Sequence, residues 1–157
     1  MEIERKYLVR QLPQKLEQYE FLDIEQGYLN EKPVMRIRRM NEEYRFTYKS
    51  KENGQSGQPV CVSQEVELPL TAEAYEHLKK KTDGILIEKT RYRIPYGTHV
   101  IELDIFHGMY EGMIVAEVEF SSVEEAETFE PPDWFGQNVS GDIHYSNAWL
   151  AVQNKKT

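Results

Sequence analysis

The 157-residue chain has one cysteine, Cys61. A single thiol cannot close an intramolecular disulfide, which excludes a disulfide-stapled secreted domain and predicts a reducing compartment. No apolar run approaches the roughly 18–20 residues of a membrane-spanning helix. The residues after Met1 are charged, so we expect no signal peptide. These absences together predict a cytoplasmic protein without a membrane partner.

The sequence also lacks an excess of basic charge. Lys and Arg total 19 against 27 Asp and Glu, which gives a net charge of −8. Generic nucleic-acid binding needs a basic surface, so we expect no nucleic-acid partner. The hydrophobic fraction of 39% and the charged fraction of 29% are typical of a charge-rich globular protein. The length suits one domain, and we predict one over residues 1–157.

Most of the chain has strand patterning, with few helices. The predicted strands are Met1–Arg10, Leu22–Leu29, Pro33–Met40, Glu43–Ser50, Val60–Leu68, Ile85–Tyr96, Thr98–His107 and Met113–Phe120. Eight strands in one small domain predict a mainly β fold with a few helices (α+β). We expect a closed eight-stranded antiparallel barrel, because closure removes the sheet edges.

Capping and turn residues place the helices and loops between these strands. The predicted helices are Gln14–Tyr19, a helix from the N-cap Thr71 to near Gly84, a helix from Ser122 to about Phe129, and a short helix from Ser146-Asn147. Asn53-Gly54 and Ser56-Gly57 predict a loop, and Tyr96-Gly97-Thr98 predicts a hairpin turn.

The strands carry rows of like charge on one face. In the first strand Glu2, Glu4 and Lys6 alternate with Ile3 and Arg5, so the two sets point to opposite faces. Further rows are Arg36/Arg38, Arg45/Lys49, Glu65/Glu67, Lys89/Arg91/Arg93, Glu102/Asp104 and Glu117/Glu119. Solvent exposure explains any one such strand. The whole set favours a charged barrel interior over a solvated face, since like charges two residues apart repel each other.

Such an interior would be close to neutral, because acidic and basic rows occur in equal measure. Near balance matters, since burying charges of one sign is very costly. Carboxylates are suitable ligands for a hard divalent cation. Arginine forks and lysine ammonium groups suit phosphate oxygens. The rows therefore predict a site for a phosphate chain that carries metal.

The order of these rows resembles the CYTH domain of the triphosphate tunnel metalloenzymes. The residues that carry the resemblance are Glu2-x-Glu4-x-Lys6, Arg36-x-Arg38, Lys49, Glu65-x-Glu67, Lys89-x-Arg91-x-Arg93, Glu102-x-Asp104 and Glu117-x-Glu119. The stretch Val139–Asn147 is similar to the tail of small bacterial members, although Ile143 and His144 stand where relatives often have a basic pair. The resemblance implies an eight-stranded tunnel that binds triphosphate with Mg²⁺ or Mn²⁺.

The resemblance also implies residue roles and a reaction. The implied metal ligands are Glu2, Glu4, Glu117 and Glu119. The implied triphosphate-binding residues are Lys6, Arg36, Arg38, Lys49, Lys89, Arg91 and Arg93, and the implied catalytic residues are Lys6, Lys49, Glu67 and Tyr145. The expected reaction is hydrolysis of the terminal phosphate of inorganic triphosphate. A class IV-type adenylate cyclase, a thiamine triphosphatase and a non-catalytic polyphosphate- or nucleotide-binding module stay open, and a homodimer is expected by analogy.

Overall fold

The computed structural model describes residues 1–51 and 60–153, so the predicted loop at Asn53-Gly54 and Ser56-Gly57 lies outside the described residues. The strands are β1 Glu2–Val9, β2 Glu20–Asn30, β3 Val34–Met40, β4 Glu43–Lys51, β5 Cys61–Leu70, β6 Asp83–Tyr96, β7 His99–Phe106, β8 Ile114–Phe120 and β9 Phe135–Asn138. The α-helices are α1 Ala72–Lys79, α2 Val123–Glu127 and α3 Asn147–Val152. None of the described helices is long and apolar enough to cross a membrane.

The first eight strands close into an antiparallel barrel. Their order is β5-β4-β3-β2-β6-β7-β8-β1, and β1 returns to β5 through the pairs Glu2↔Ser63 and Glu4↔Cys61. The short strand β9 pairs with the same edge of β1 as β5 does, farther along the strand, through Tyr7↔Asn138. The predicted closed eight-stranded antiparallel barrel is therefore confirmed, with β9 as an extra strand that the sequence reading missed.

Local chemistry explains where the helices begin and end. Thr71 and Ser122 cap α1 and α2, because their side chains accept hydrogen bonds from the backbone N–H of Ala74 and of Glu125, both at 3.1 Å. The helix α1 ends at Lys79 rather than near Gly84, since β6 already begins at Asp83. The expected helix Gln14–Tyr19 was wrong in extent.

That segment forms only a 3-10 turn, Leu16–Gln18. Lys15 precedes the turn in the left-handed region, with φ at 59°, and its side chain makes no capping hydrogen bond. Without a cap, and with so few residues, an α-helix has too little to offset its nucleation cost.

One hydrophobic core lies outside the barrel wall. The outward-facing residues of β1, β7 and β8, among them Ile3, Ile101 and Val118, pack under α2 and the segment that leads to β9. Each large aliphatic side chain buried in this way contributes about 1.5–3 kcal/mol. The predicted charged barrel interior is confirmed for this side of the barrel, where the apolar faces of the strands point outward.

A second core fills one end of the bore. Ile87, Phe106 and Val115 share strand faces with the charged rows, but they pack against Leu150 and the rest of α3. The inward faces thus change from charged to apolar along the barrel axis. The helix α3 plugs the apolar end, and the charged part of the bore lies between this plug and the opposite rim.

Gly84 permits the close approach of β6 to this plug. Its φ is +67°, and a Cβ atom built on it would lie 1.9 Å from the carbonyl oxygen of Ala151 in α3. Gly97, in the β6–β7 turn, has a similar φ of +61° but no atom within 4 Å of a built Cβ. Substitutions at Gly84 and Gly97 can therefore be compared to separate the effect of steric packing from the effect of backbone conformation.

We expect Gly84→Ala to destabilise the fold by about 3 kcal/mol, because it combines left-handed strain with overpacking. Gly97→Ala meets the strain alone and should cost about 1 kcal/mol. Urea denaturation of both variants measures the difference. Equal losses of unfolding free energy would contradict the close contact between Gly84 and α3.

Candidate active site

The charged part of the bore encloses a cavity of about 380 Å³. All predicted site residues except Tyr145 line it: Glu2, Glu4, Lys6, Arg36, Arg38, Lys49, Glu67, Lys89, Arg91, Arg93, Glu117 and Glu119. Eight strands supply inward-facing positions around one axis, so rows that are far apart in sequence meet here. Tyr145 stands in a 3-10 turn next to the cavity and reaches the site through its backbone carbonyl.

Three carboxylates form a cluster near the open rim. Glu4 and Glu119 are paired positions of β1 and β8, and Glu2 is the next inward residue of β1. One oxygen from each of Glu2, Glu4 and Glu119 lies within 4.8 Å of the others. Hard oxygen ligands at this spacing fit a divalent cation.

The electrostatics of the cluster agree with this fit. Burial, together with the charge of Glu117, raises the pKa of Glu4 to about 7. Burial, together with the charges of Glu2 and Glu102, raises the pKa of Glu119 to about 8. The raised pKa values indicate that nearby basic groups do not fully compensate the negative charge of these carboxylates. A bound metal cation would supply the missing positive charge.

Lys49 of β4 partly neutralises the cluster. Its Nζ atom lies 3.2 Å from Glu2, 3.6 Å from Glu4 and 3.8 Å from Glu65. Burial disfavours the ammonium form, but Glu4 and Glu2 outweigh it and raise the pKa of Lys49. Glu65 was placed in a charged row but given no role, and burial with a hydrogen bond to Glu2 raises its pKa to about 7.

Glu117 takes a different position from the other predicted metal ligands. It is absent from the three-carboxylate cluster found among the described residues, and its Oε1 lies 3.8 Å from Lys6 Nζ. Burial opposes its ionisation, yet Lys6 and Arg91 outweigh burial and lower the pKa of Glu117. Glu117 therefore links the acidic cluster to the basic wall.

The basic wall is organised around Asp104, a buried residue of β7. Arg91 donates two hydrogen bonds to its carboxylate, at 2.7 and 2.9 Å, and Lys89 Nζ lies 2.8 Å from Oδ2. Burial and the charge of Arg91 outweigh Asp104 and lower the pKa of Lys89 to about 8. Parity placed Asp104 in the bore, but nothing in the sequence distinguished this counterion from Glu102 in the same row.

Arg36 and Arg38 of β3 have guanidinium N–H donors that are not used in hydrogen bonds within the described residues. Arg36 donates to Thr47 at 3.2 Å, and Arg38 lies 3.7 Å from Glu67. The Nε atoms of both arginines are buried without a hydrogen-bond partner among the described residues. Burial and the neighbouring charges of Arg36 and Arg91 lower the pKa of Arg38 to about 10. Unsatisfied donors and crowded positive charge favour an anionic ligand at this wall.

The strand β2 contributes a residue that the sequence reading missed. Tyr28 lines the cavity and is buried, and its hydroxyl accepts a hydrogen bond from Gln26 Nε2 at 2.8 Å. The inward face of β2 carries Leu22, Gln26 and Tyr28 rather than charges, so a search for charged rows passes over it. Tyr28 of β2 is paired with Arg36 of β3, so the two side chains lie on the same face of the sheet. Applying the alternation of strand residues to β2 as well could have identified Tyr28.

Comparison with known proteins identifies relatives over nearly the whole chain. The CYTH domain family matches residues 1–146. The inorganic triphosphatase of Nitrosomonas europaea is 38% identical over 156 residues, which cover 96% of this chain and 97% of that protein. The inorganic triphosphatase of Acetivibrio thermocellus is 34% identical over 127 residues, which cover 80% of this chain and 77% of that protein.

A solved crystal structure extends the agreement to the fold. It is that of an inorganic triphosphatase, with a TM-score of 0.69 and 35% sequence identity, and the match covers 97% of this chain and 95% of that one. The resemblance inferred from the charged rows is confirmed.

The raised pKa values predict how the stability of the metal-free protein depends on pH. Glu4 and Glu65 titrate at about 7 and Glu119 at about 8, against 4.5 for an ordinary glutamate. The folded chain therefore binds more protons than the unfolded chain between about pH 5 and pH 8, so its stability falls as pH rises through that window. Thermal unfolding in a chelator should show the melting temperature decreasing from pH 5 to pH 8.

Added Mn²⁺ should restore stability at pH 8, since the cation replaces the protons. Glu119→Gln, which removes one of the three groups, should flatten the pH dependence. A melting temperature that is constant or rising over this window in the chelator would contradict the electrostatic description of the cluster.

Proposed function

The chain belongs to the CYTH domain family, and on this premise we propose that it is a metal-dependent inorganic triphosphatase. The reaction is hydrolysis of the terminal phosphoanhydride bond, which converts inorganic triphosphate and water into orthophosphate and diphosphate. One observation carries the proposal: the carboxylate cluster Glu2–Glu4–Glu119 and the basic wall face the same cavity of about 380 Å³. The names of the relatives from Nitrosomonas europaea and Acetivibrio thermocellus support the choice of substrate.

The proposed metal is Mg²⁺ or Mn²⁺, held by Glu2, Glu4 and Glu119, with Glu117 beside them. When bound, the cation supplies positive charge to the phosphate oxygens and acidifies the attacking water. The carboxylates meet the requirement of such an ion for hard oxygen ligands. A non-catalytic polyanion binder would have little use for three crowded carboxylates in the same bore.

The basic residues bind and orient the phosphate chain. Arg36 and Arg38 offer buried Nε donors, and Lys6 and Lys49 place ammonium groups between the acidic cluster and the basic wall. Phosphoryl transfer proceeds through a loose transition state, so positioning and charge stabilisation account for most of the rate. We assign to Lys6 and Lys49 the stabilisation of the charge that develops as the bond to the leaving diphosphate breaks.

Two predicted catalytic residues act through their neighbours in this proposal. Glu67 accepts a hydrogen bond from Arg45 at 3.1 Å and lies 3.7 Å from Arg38, so we assign to it the orientation of Arg38. The carbonyl of Tyr145 accepts a hydrogen bond from Lys6 Nζ at 3.1 Å, so we assign to Tyr145 the orientation of Lys6. The homodimer and the cytoplasmic location that the sequence indicates stay predictions.

Loss of one ligand or one phosphate contact tests the assignment. Glu4→Gln removes a negative charge from the cluster, and Lys6→Ala removes an ammonium group from the phosphate path. We expect each change to slow phosphate release from tripolyphosphate, with Mg²⁺ or Mn²⁺ present, by about 100-fold or more. Glu73→Gln, on the exposed surface of α1, is the matched control and should keep the wild-type rate. Near wild-type rates in both site variants would refute the assignment.

A substrate panel separates the proposed activity from its alternatives. Inorganic triphosphate presents charged oxygens at both ends, whereas ATP and thiamine triphosphate carry an organic group at one end, which replaces charged oxygens that the acidic and basic rows could contact. We expect phosphate release from tripolyphosphate to exceed release from either organic triphosphate, with no cyclic AMP formed from ATP. Cyclic AMP as the main product of ATP would instead establish a cyclase.

A further inference from the structure

The segment that runs from the end of β9 to the first residue of α3, residues 139–147, forms part of the cavity wall next to the plug. We call it the tail segment. Its residues on the cavity wall are Val139, Gly141, Asp142, Ser146 and Asn147. The tail segment belongs to no barrel strand, yet it forms hydrogen bonds with two lysines that line the cavity, Lys6 and Lys89.

Lys6 is held by the tail segment at three points. Its backbone N–H donates to Ser140 Oγ at 2.8 Å, and its carbonyl accepts from the Val139 N–H at 2.8 Å. Its Nζ donates to the Tyr145 carbonyl at 3.1 Å. These contacts fix both the backbone and the ammonium group of Lys6.

Lys89 is held by the last residue of the tail segment. Its side chain is 2% exposed, and its Nζ donates to Asn147 Oδ1 at 3.0 Å and lies 2.8 Å from Asp104 Oδ2. An ammonium group has three N–H donors, so Asn147 and Asp104 together direct the third donor of Lys89. Asp104 is shared with Arg91, which leaves Asn147 as the neutral acceptor of this arrangement.

The fold itself does not require the Asn147 side chain. Asn147 is the first residue of α3, but the N-cap is Ser146, whose Oγ accepts from the Trp149 N–H at 3.1 Å. The plug is also anchored from the outside, because Tyr110 donates to the Leu150 carbonyl at 2.6 Å. Leu150, Ala151 and Val152 supply its apolar contacts. The amide of Asn147 thus makes its described hydrogen bond to the site rather than to the helix.

We propose that Asn147 is a positioning residue, which orients the ammonium group of Lys89 toward the phosphate chain in the bore. The tail segment thereby braces two phosphate-binding lysines from different strands, Lys6 and Lys89. This inference rests on the proposed function, since it takes Lys89 to be a triphosphate contact.

A double-mutant cycle with Lys89 tests the proposal. Asn147→Leu keeps the approximate size of the side chain and removes the acceptor, and Lys89→Met removes the ammonium group. Titration calorimetry with tripolyphosphate, in a chelator to prevent turnover, measures the dissociation constant. We expect Asn147→Leu to weaken binding about tenfold in the wild-type background, because hydrogen bonds to charged groups are among the stronger ones. The same change should weaken binding less than about twofold beside Lys89→Met, where no ammonium group remains to be oriented.

A control variant distinguishes positioning from loosening of the plug. Tyr110→Phe removes the outer anchor of α3 without touching the cavity, and should lower the melting temperature while leaving tripolyphosphate binding unchanged. If Tyr110→Phe weakens binding as much as Asn147→Leu does, or if Asn147→Leu has the same effect in both backgrounds, the proposal is overturned. Asn147→Ala replaces Asn147→Leu if the leucine prevents folding.

A spectroscopic readout separates this inference from the proposed function. In protein labelled at lysine Nζ with ¹⁵N, the buried ammonium group of Lys89 should give a slowly exchanging NMR signal that disappears in Lys89→Met. We expect this signal to broaden or vanish in Asn147→Leu and to persist in Tyr110→Phe. If wild-type protein releases no phosphate from tripolyphosphate with Mg²⁺ or Mn²⁺ present, the proposed function fails. An unchanged Lys89 signal in Asn147→Leu would overturn the positioning role on its own.

Discussion

The constraint on which the molecule depends is charge compensation across the bore. Most of the barrel strands present like charges two residues apart on the inward face, and these charges repel. Such an interior is stable only if closure brings opposite signs together. Lys49 shows how this works, because its Nζ lies within 3.8 Å of carboxylates from both β1 and β5. Removing one partner from such a buried set leaves an uncompensated charge that costs several kcal/mol. The charge pattern is therefore stable only in a closed barrel. At Glu2, Glu4 and Glu119 the charge compensation is incomplete, and a bound cation would complete it.

The apolar residues serve this arrangement from two directions. The outer core packs against the outside of β1, β7 and β8, the strands that carry the carboxylates. The inner core packs around α3 at the end of the bore. Gly84 lets β6 pack closely against Ala151 of α3, and the tail segment that leads into α3 lies on the cavity wall. Lys6 and Lys89 are both hydrogen-bonded to the tail segment, so residues outside the barrel strands help to place the two ammonium groups.

The barrel and the residues that line its bore could be predicted from the sequence. Side chains alternate between the two faces of a strand, and the charged residues on one face of a strand mostly have the same sign. Sequence reasoning could not say which walls face each other. Glu117 and Glu119 share a row, yet Glu117 lies against Lys6 while Glu119 joins Glu2 and Glu4. It also passed over positions without charge, such as Tyr28. Asn147 lies 58 residues from Lys89, and no local pattern encodes that contact. Strand β9 was not predicted, because its four residues, Phe135–Asn138, are too few to show an alternating pattern.

In the proposed function, Glu2, Glu4 and Glu119 hold a divalent cation while the basic wall holds the phosphate chain beside it. Anomalous diffraction from crystals grown with Mn²⁺ and a non-hydrolysable triphosphate analogue tests both halves at once. We expect a manganese peak at coordination distance, roughly 2.0–2.6 Å, from carboxylate oxygens of these three residues. We also expect phosphate density between that peak and Arg36 and Arg38. Manganese bound elsewhere, or an analogue lying outside the bore, would contradict the account.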